Sequence, residues 1–180
     1  MSKDIYFDAD FISAFLEVSS LGIPLMILDG NIVIPQNVYN ELKKSRKEDF
    51  IEQVDRIIKA KIAKVQDIDL YSDTGELYFK FSTLGDGELL PVGKGESAAM
   101  ALAVSNNGIL ASNNLKDVMP YVKKYGLEHI TTGIVMHNAV ESGYITKEYA
   151  SELWDKMIAN GCKLGAQTYE EYEAEKKYEL

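Results

Sequence analysis

The chain is poor in the features that would take it outside the ordinary globular class. It has a single cysteine, Cys162, so no disulfide can close within it and a stapled secreted scaffold is excluded. A reducing cytoplasm is the expected setting. Long apolar runs are missing too. Stretches such as residues 23–28 fall far short of the roughly 20 residues that cross a bilayer, and Asp4 and Asp8 interrupt the N-terminal segment. Neither a membrane span nor a signal peptide is expected. Positive charge is scarce: Lys plus Arg number 19 against 28 Asp plus Glu, a formal charge of −9, which excludes a general basic footprint for nucleic acid. The two histidines, His129 and His137, have no metal-spaced partner and read as structural.

What is present points to a packed domain. Hydrophobic residues make up 46% of the chain, too many for disorder. At roughly 150 residues per domain, 180 residues give one domain with a proper core. Four short apolar runs are each followed by a helical pattern. Ile5-Tyr6-Phe7 leads to Phe11, Ile12, Phe15 and Leu16, and Ile32-Val33-Ile34 leads through Pro35, read as a first helical residue, to Val38, Tyr39 and Leu42. Ile109-Leu110-Ala111 leads through Ser112-Asn113-Asn114, good N-cap chemistry, to Val118, Tyr121 and Val122. His129-Ile130-Thr131-Thr132 leads to Ile134, Val135 and Ala139. This alternation predicts a three-layer α/β/α sandwich around a mostly parallel sheet of four to five strands, with residues 62–65 as the candidate edge strand. Further helices are expected over 47–60, 96–105 and along the stripe Tyr149, Leu153, Trp154 and Met157. Residues 73–90 read ambiguously, because Leu77, Phe81 and Leu84 fit a helix while three glycines lie among them. Residues 1–165 are taken as the domain and 166–180 as a charged C-terminal tail or helix.

Ligands of open parallel sheets bind beyond the carboxyl ends of the strands, so the polar residues expected there carry the functional reading. Asp8 and Asp10 follow the first strand, Glu41 lies two turns into the helix after the second, and Glu96 opens a helix behind Gly93 and Gly95. Ser112, Asn113, Asn114 and Asp117 follow a later strand. Crowded carboxylates raise each other's pKa, and a divalent cation relieves the crowding. An oxygen-rich set that retains water suits Mg²⁺ or Mn²⁺, which can activate water for attack on phosphorus. Each acid also has a plain structural reading. Asp8 or Asp10 can cap the first helix, Glu41 can be a solvated charge, Glu96 is favoured by the helix dipole, and Asp117 can partner an Asn114 cap.

Four segments in this order, Tyr6-Phe7-Asp8-Ala9-Asp10-Phe11-Ile12, Ile34-Pro35-Gln36-Asn37-Val38-Tyr39-Asn40-Glu41-Leu42, Gly93-Lys94-Gly95-Glu96-Ser97-Ala98-Ala99 and Leu110-Ala111-Ser112-Asn113-Asn114, resemble a PIN domain. That is the α/β/α fold of metal-dependent ribonucleases and bacterial toxin nucleases, and the resemblance spans residues 3–160. It implies that Asp8, Glu41 and Glu96 match the first three acids of the family's metal site and Ser112 its hydroxyl residue. Asn114 stands where many members carry the fourth acid, and Asp117 can replace the missing charge. The implied activity is hydrolysis of an RNA phosphodiester by metal-activated water. Asp8, Glu41, Glu96 and Asp117 would be catalytic and Asp8, Glu96, Asn114 and Asp117 would hold Mg²⁺ or Mn²⁺, supported by Asp10, Ser112 and Asn113. The resemblance also implies an antitoxin-like protein partner, placing Arg or Lys on the acidic rim, and a homodimer. RNA phosphates would meet Lys94, Lys116, Lys123 and Lys124, or the run Lys43, Lys44, Arg46 and Lys47.

Two other classes compete. A non-catalytic PIN-like binding or scaffold protein is favoured by Asn114 and by the acidic surface. A haloacid-dehalogenase-like phosphatase would use Asp8 and Asp10, but Ile12 stands where that family wants Thr, Pro35 where it wants Ser or Thr, and Asn113-Asn114 where it wants an acidic pair. Gly93-Lys94-Gly95 is no P-loop, since Gly follows the Lys. Cys162 lacks an activating neighbour, and Tyr169, Tyr172 and Tyr178 read as packing or oligomer contacts.

Overall fold

The β-branched and aromatic runs become the strands of one sheet in the computed structural model, which describes residues 2–45 and 47–175. They are β1 (Asp4–Phe7), β2 (Asn31–Pro35), β3 (Ala63–Gln66), β4 (Ile109–Ala111) and β5 (Glu128–Ile130), in the order β3-β2-β1-β4-β5. Every pairing between them is parallel, with Tyr6 opposite Val33 on one side and Leu110 on the other. The edge strand expected over 62–65 is β3, shifted by one residue. Pro35 ends β2 and occupies the N-cap position of the following helix, not its first turn.

Side-chain alternation along the strands divides the core in two. Ile5, Phe7, Ile32, Ile34 and Ala111 face one layer, where they meet α1 (Ala9–Glu17), α3 (Gln36–Lys44), α4 (Glu48–Lys59), α8 (Thr132–Glu141) and α9 (Lys147–Ala159). A short helix, α2 (Gly22–Ile27), packs against α8. Tyr6, Val33 and Leu110 face the other layer, formed by α6 (Lys94–Ser105), α7 (Leu115–Tyr125) and the segment holding α5 (Asp73–Phe79). Beyond its first turn helix α6 is apolar on all sides as far as Val104 and lies between the sheet and α5, as such a segment must. The expected three-layer α/β/α sandwich is the observed architecture.

The ambiguous stretch 73–90 resolves into α5, a π-helical turn over Lys80–Leu84, and a loop. One buried acid fixes that loop. The carboxylate of Asp86 takes Lys80 Nζ at 2.7 Å, Lys124 Nζ at 2.7 Å and the Tyr125 hydroxyl at 2.7 Å. Phe81 packs edge-on against the rings of Tyr121 and Tyr125, so a charged knot and an aromatic cluster clamp the segment to α7.

At the far end, α10 (Tyr169–Ala174) returns to the first layer, with Tyr169 and Tyr172 buried against Trp154 at ring separations of 5.7 and 5.2 Å. Gly133 makes this seat possible, since a Cβ there would lie 2.3 Å from the Tyr172 ring. Tyr178 lies outside the described residues. Among the described residues no helix is long and apolar enough to cross a membrane.

The topology fixes where a site can form. From β1 the chain steps outward to β2 and β3, then returns to lay β4 on the opposite side of β1. Helices α1 and α7 therefore leave the ends of neighbouring strands on opposite faces. The crevice between the carboxyl ends of β1 and β4 is the switch point where open α/β sheets bind ligands.

Candidate active site at the switch point

Asp8 stands at the floor of this crevice. Its N–H continues the ladder to the Ala111 carbonyl at 3.0 Å, and its side chain caps α1, Oδ1 accepting the Phe11 N–H at 2.7 Å. Capping accounts for one oxygen only. The residue is fully buried, and Oδ2 makes no hydrogen bond of ordinary geometry. Burial pushes the carboxyl up to about 7, against the stabilising influence of the Ser112 hydroxyl and the Phe11 N–H, and the charges of Asp10 and Glu96 add to the rise. A buried, half-satisfied carboxylate is costly unless something positive completes it.

Glu41 and Glu96 converge on the start of α6 from opposite directions. Helix α3 carries Glu41 to the Gly95 backbone, whose N–H supports its charge, although partial burial raises its pKa and the charges of Glu96 and Asp10 raise it further. Gly95 is required for this approach: a Cβ there would lie 2.8 Å from one Glu41 carboxylate oxygen and 2.9 Å from the other. Sequence reasoning singled out Glu96 in this motif but missed Gly95. The only available signal was the paired glycines at a helix start. Glu96 closes the helix N-terminus on itself, Oε2 accepting the Gly93 N–H at 3.0 Å. The first turn of α6 thus offsets both acids through its free N–H groups.

The segment after β4 supplies amides. Asn114 holds the N-cap position of α7 but makes no side-chain cap. Instead Nδ2 donates to Glu96 Oε1 at 2.5 Å and to Asp117 Oδ2 at 2.8 Å. Ser112 is fully buried beside Asp8; its N–H donates to the Ile130 carbonyl and its hydroxyl accepts the Asn114 N–H. Asn113 binds Thr132 twice at 2.9 Å, through Oδ1 to the N–H and through Nδ2 to Oγ1, and so ties the end of β4 to the start of α8. His129, its pKa lowered by burial, contacts the Ser112 carbonyl at 3.0 Å and supports the same strand end.

A family model described as DUF3368: PIN domain matches residues 4–176. The chain belongs to this PIN domain family. Membership displaces the phosphatase alternative and agrees with the observed fold. Among curated proteins nothing matches the chain. Similar solved structures include a PilT N-terminus domain protein from Sulfolobus solfataricus P2, 16% identical over 77% of this chain and 92% of that one, with a TM-score of 0.47. Another is VapBC2 from Rickettsia felis bound to a promoter DNA fragment, 18% identical over 71% of this chain and 98% of that one, with a TM-score of 0.49.

The donor set of this PIN domain suits a hydrated ion, not a dry cage. Among the described residues no three His, Cys, Asp or Glu side chains are gathered tightly enough to hold an ion by themselves. Asp8 nevertheless offers a buried oxygen without a hydrogen bond of ordinary geometry, under the field of Asp10 and Glu96. Mg²⁺ commonly binds through one or two carboxylates and keeps several waters, and Asp8 and Glu96, whose charge acts on Asp8, are the carboxylates that such an ion would need. Asp10 is exposed and borders a small pocket with Ser13, Glu17, Asn160 and Cys162. Burial pushes the Cys162 thiol up to about 11, which leaves it inert as expected.

The lysines expected to meet RNA separate. Lys94, Lys116 and Lys123 are exposed on the first turn of α6 and along α7, whereas Lys124 is held by Asp86. In the second run Lys43 lies over the Tyr39 ring, Lys47 pairs with Glu17 and lies over Phe50, and Lys44 lends its charge to Glu41. Arg46 lies outside the described residues.

Proposed function

We propose that this PIN domain is a metal-dependent ribonuclease that hydrolyses RNA phosphodiesters, acting as the toxin of a toxin–antitoxin pair. The observation that carries the reading is Asp8: a fully buried carboxylate at the topological switch point whose Oδ2 lacks a hydrogen bond of ordinary geometry. A divalent cation held at Asp8, with Glu41 and Glu96 acting through its water, would supply a water of lowered pKa and positive charge opposite the phosphodiester. The chain's own groups do the rest. Asp8 would anchor the cation site on the rigid end of β1, and Glu41, held by the Gly95 N–H, would orient water and accept its proton, with Glu96 adding its charge beside it. Asp117 adds negative charge at the rim, and Ser112 and Asn113 hold the β4 end in place. Lys94, Lys116 and Lys123, exposed near the crevice, would meet RNA phosphates.

A rim of carboxylates with one bridging amide suits a basic side chain from an antitoxin-like partner, and a homodimer is the proposed state of the chain alone; sedimentation as a strict monomer would remove it. The test of the activity is cleavage of a single-stranded RNA in Mn²⁺ and in Mg²⁺. The parent should cleave only with metal and Asp8→Asn should lose at least a hundredfold in rate; equal activity of the two, or cleavage undiminished by chelator, would overturn the reading. A second reading, a binding module that has lost catalysis, is favoured by the Asn114 amide between Glu96 and Asp117.

A further inference from the structure

The Asn114 amide is oriented by its surroundings. Its Nδ2 lies within hydrogen-bond distance of two carboxylate oxygens, Glu96 Oε1 and Asp117 Oδ2, at 2.5 and 2.8 Å. A carbonyl oxygen in that position would face two acceptors with no proton among the three, so the NH₂ group must occupy it, each of its hydrogens going to one carboxylate. The other Glu96 oxygen is committed to the Gly93 N–H. Both Glu96 oxygens and one of Asp117 are therefore spent on donors of the chain itself. Asp8 is the contrast, since its buried Oδ2 remains unpartnered.

We infer that the Asn114 amide is a built-in counter-cation, holding Glu96 and Asp117 together where an ion would otherwise bind, and that it must swing aside before these two acids join Asp8 around a metal. This regulation rests on the reading of the crevice as a metal site. The amide carries only the partial positive charge of its N–H bonds, enough to keep two acids side by side without metal, and far less than a divalent ion provides. The rim is thus stable empty and weakly receptive to ions. Full occupancy requires a gain from elsewhere, such as the phosphate of a bound RNA, which brings its own claim on the cation. Asn114 would otherwise be read as a ligand through its carbonyl oxygen. The two roles make opposite predictions.

Mn²⁺ binding to the full chain, measured by titration calorimetry and by the electron spin resonance signal of free Mn²⁺ without RNA, separates them. A counter-cation that is removed frees its acids, so Asn114→Ala should bind Mn²⁺ several-fold more tightly than the parent. Asn114→Asp should bind it at least tenfold more tightly, with a melting temperature lower than the parent's in chelator and raised by Mn²⁺. A ligand that is removed weakens the site, so weaker binding by Asn114→Ala overturns the inference, as does parent binding equal to that of Asn114→Asp. Should Asn114→Ala fold poorly, Asn114→Gly, which also removes the amide, takes its place in the titration. Failure here is distinct from failure of the nuclease proposal. Tight Mn²⁺ binding and cleavage by the parent would remove the counter-cation and leave the nuclease standing; the expected binding order with no cleavage by any variant would do the reverse.

Discussion

Asp8 serves as helix cap, strand extension and buried charge at once, and its protonation couples these roles to stability. Burial raises its pKa from the ordinary 3.8 to about 7, so between these values the folded chain keeps a proton that the unfolded chain has lost. Stability contributed by this group is complete below about pH 4, declines as pH rises toward 7 and is absent above it. Asp8→Asn keeps an acceptor for the Phe11 N–H and removes the titration. Without metal, the variant's melting temperature should gain on the parent's across pH 4–7 and hold that gain at pH 8; parallel curves would show that Asp8 does not titrate there. Asp8, Glu96 and Asn114 could be picked out from the sequence because each stands beside a strand end or a helix start, whereas Glu41, two turns into α3, was legible only through the segment that resembles the family. What each touches could not. Gly95 beneath Glu41 joins two helices far apart along the chain, and the end of Asn114 that faces the acids depends on a glutamate 18 residues away.

Elements with one dominant period were readable, and elements held by a local device were not. The strand-then-helix alternation predicts β1, β2, β4 and β5 with their helices because burial on both faces leaves near-continuous apolar runs. It does not reveal the π-helical turn, whose wide spacing follows from the Lys80 carbonyl accepting the Gly85 N–H at 2.8 Å, a bond that neither helical nor strand periodicity encodes. The loop after it relies on Asp86, whose pKa is held well below the usual carboxylate range by Lys124, Lys80 and Tyr125. A depressed carboxylate contributes stability above its unfolded pKa and loses it as pH falls below about 4. Asp86→Asn should lower the melting temperature at pH 7 by roughly 4–8 °C, about 2 kcal/mol in a domain of this size, and flatten the acid limb of the melting curve. An unchanged midpoint would show that Phe81 and its tyrosine neighbours hold the segment unaided.

On the proposed function, the whole molecule would approach RNA with a charge of −9, opposed by a few exposed lysines beside the crevice. Long-range repulsion is screened at lower ionic strength than short contacts are. Cleavage at limiting RNA should therefore rise as salt increases from about 10 mM toward 100 mM, then fall as phosphate contacts weaken; a steady fall from the lowest salt would mean that the lysines outweigh the global field. At this scale the sheet order matters in time as well as in space. Strand β1 is made first, yet its flank toward the crevice is closed by β4, with Ile5 set against Ile109 and Phe7 against Ala111. A nascent chain can thus present Asp8, Glu41 and Glu96 while the wall opposite them has yet to leave the ribosome. Translation cut short before Ser112 yields fragments that carry three of the acids and have nothing to assemble them against. On the proposed function as a toxin nuclease, the site would come into existence only when synthesis is well past its middle.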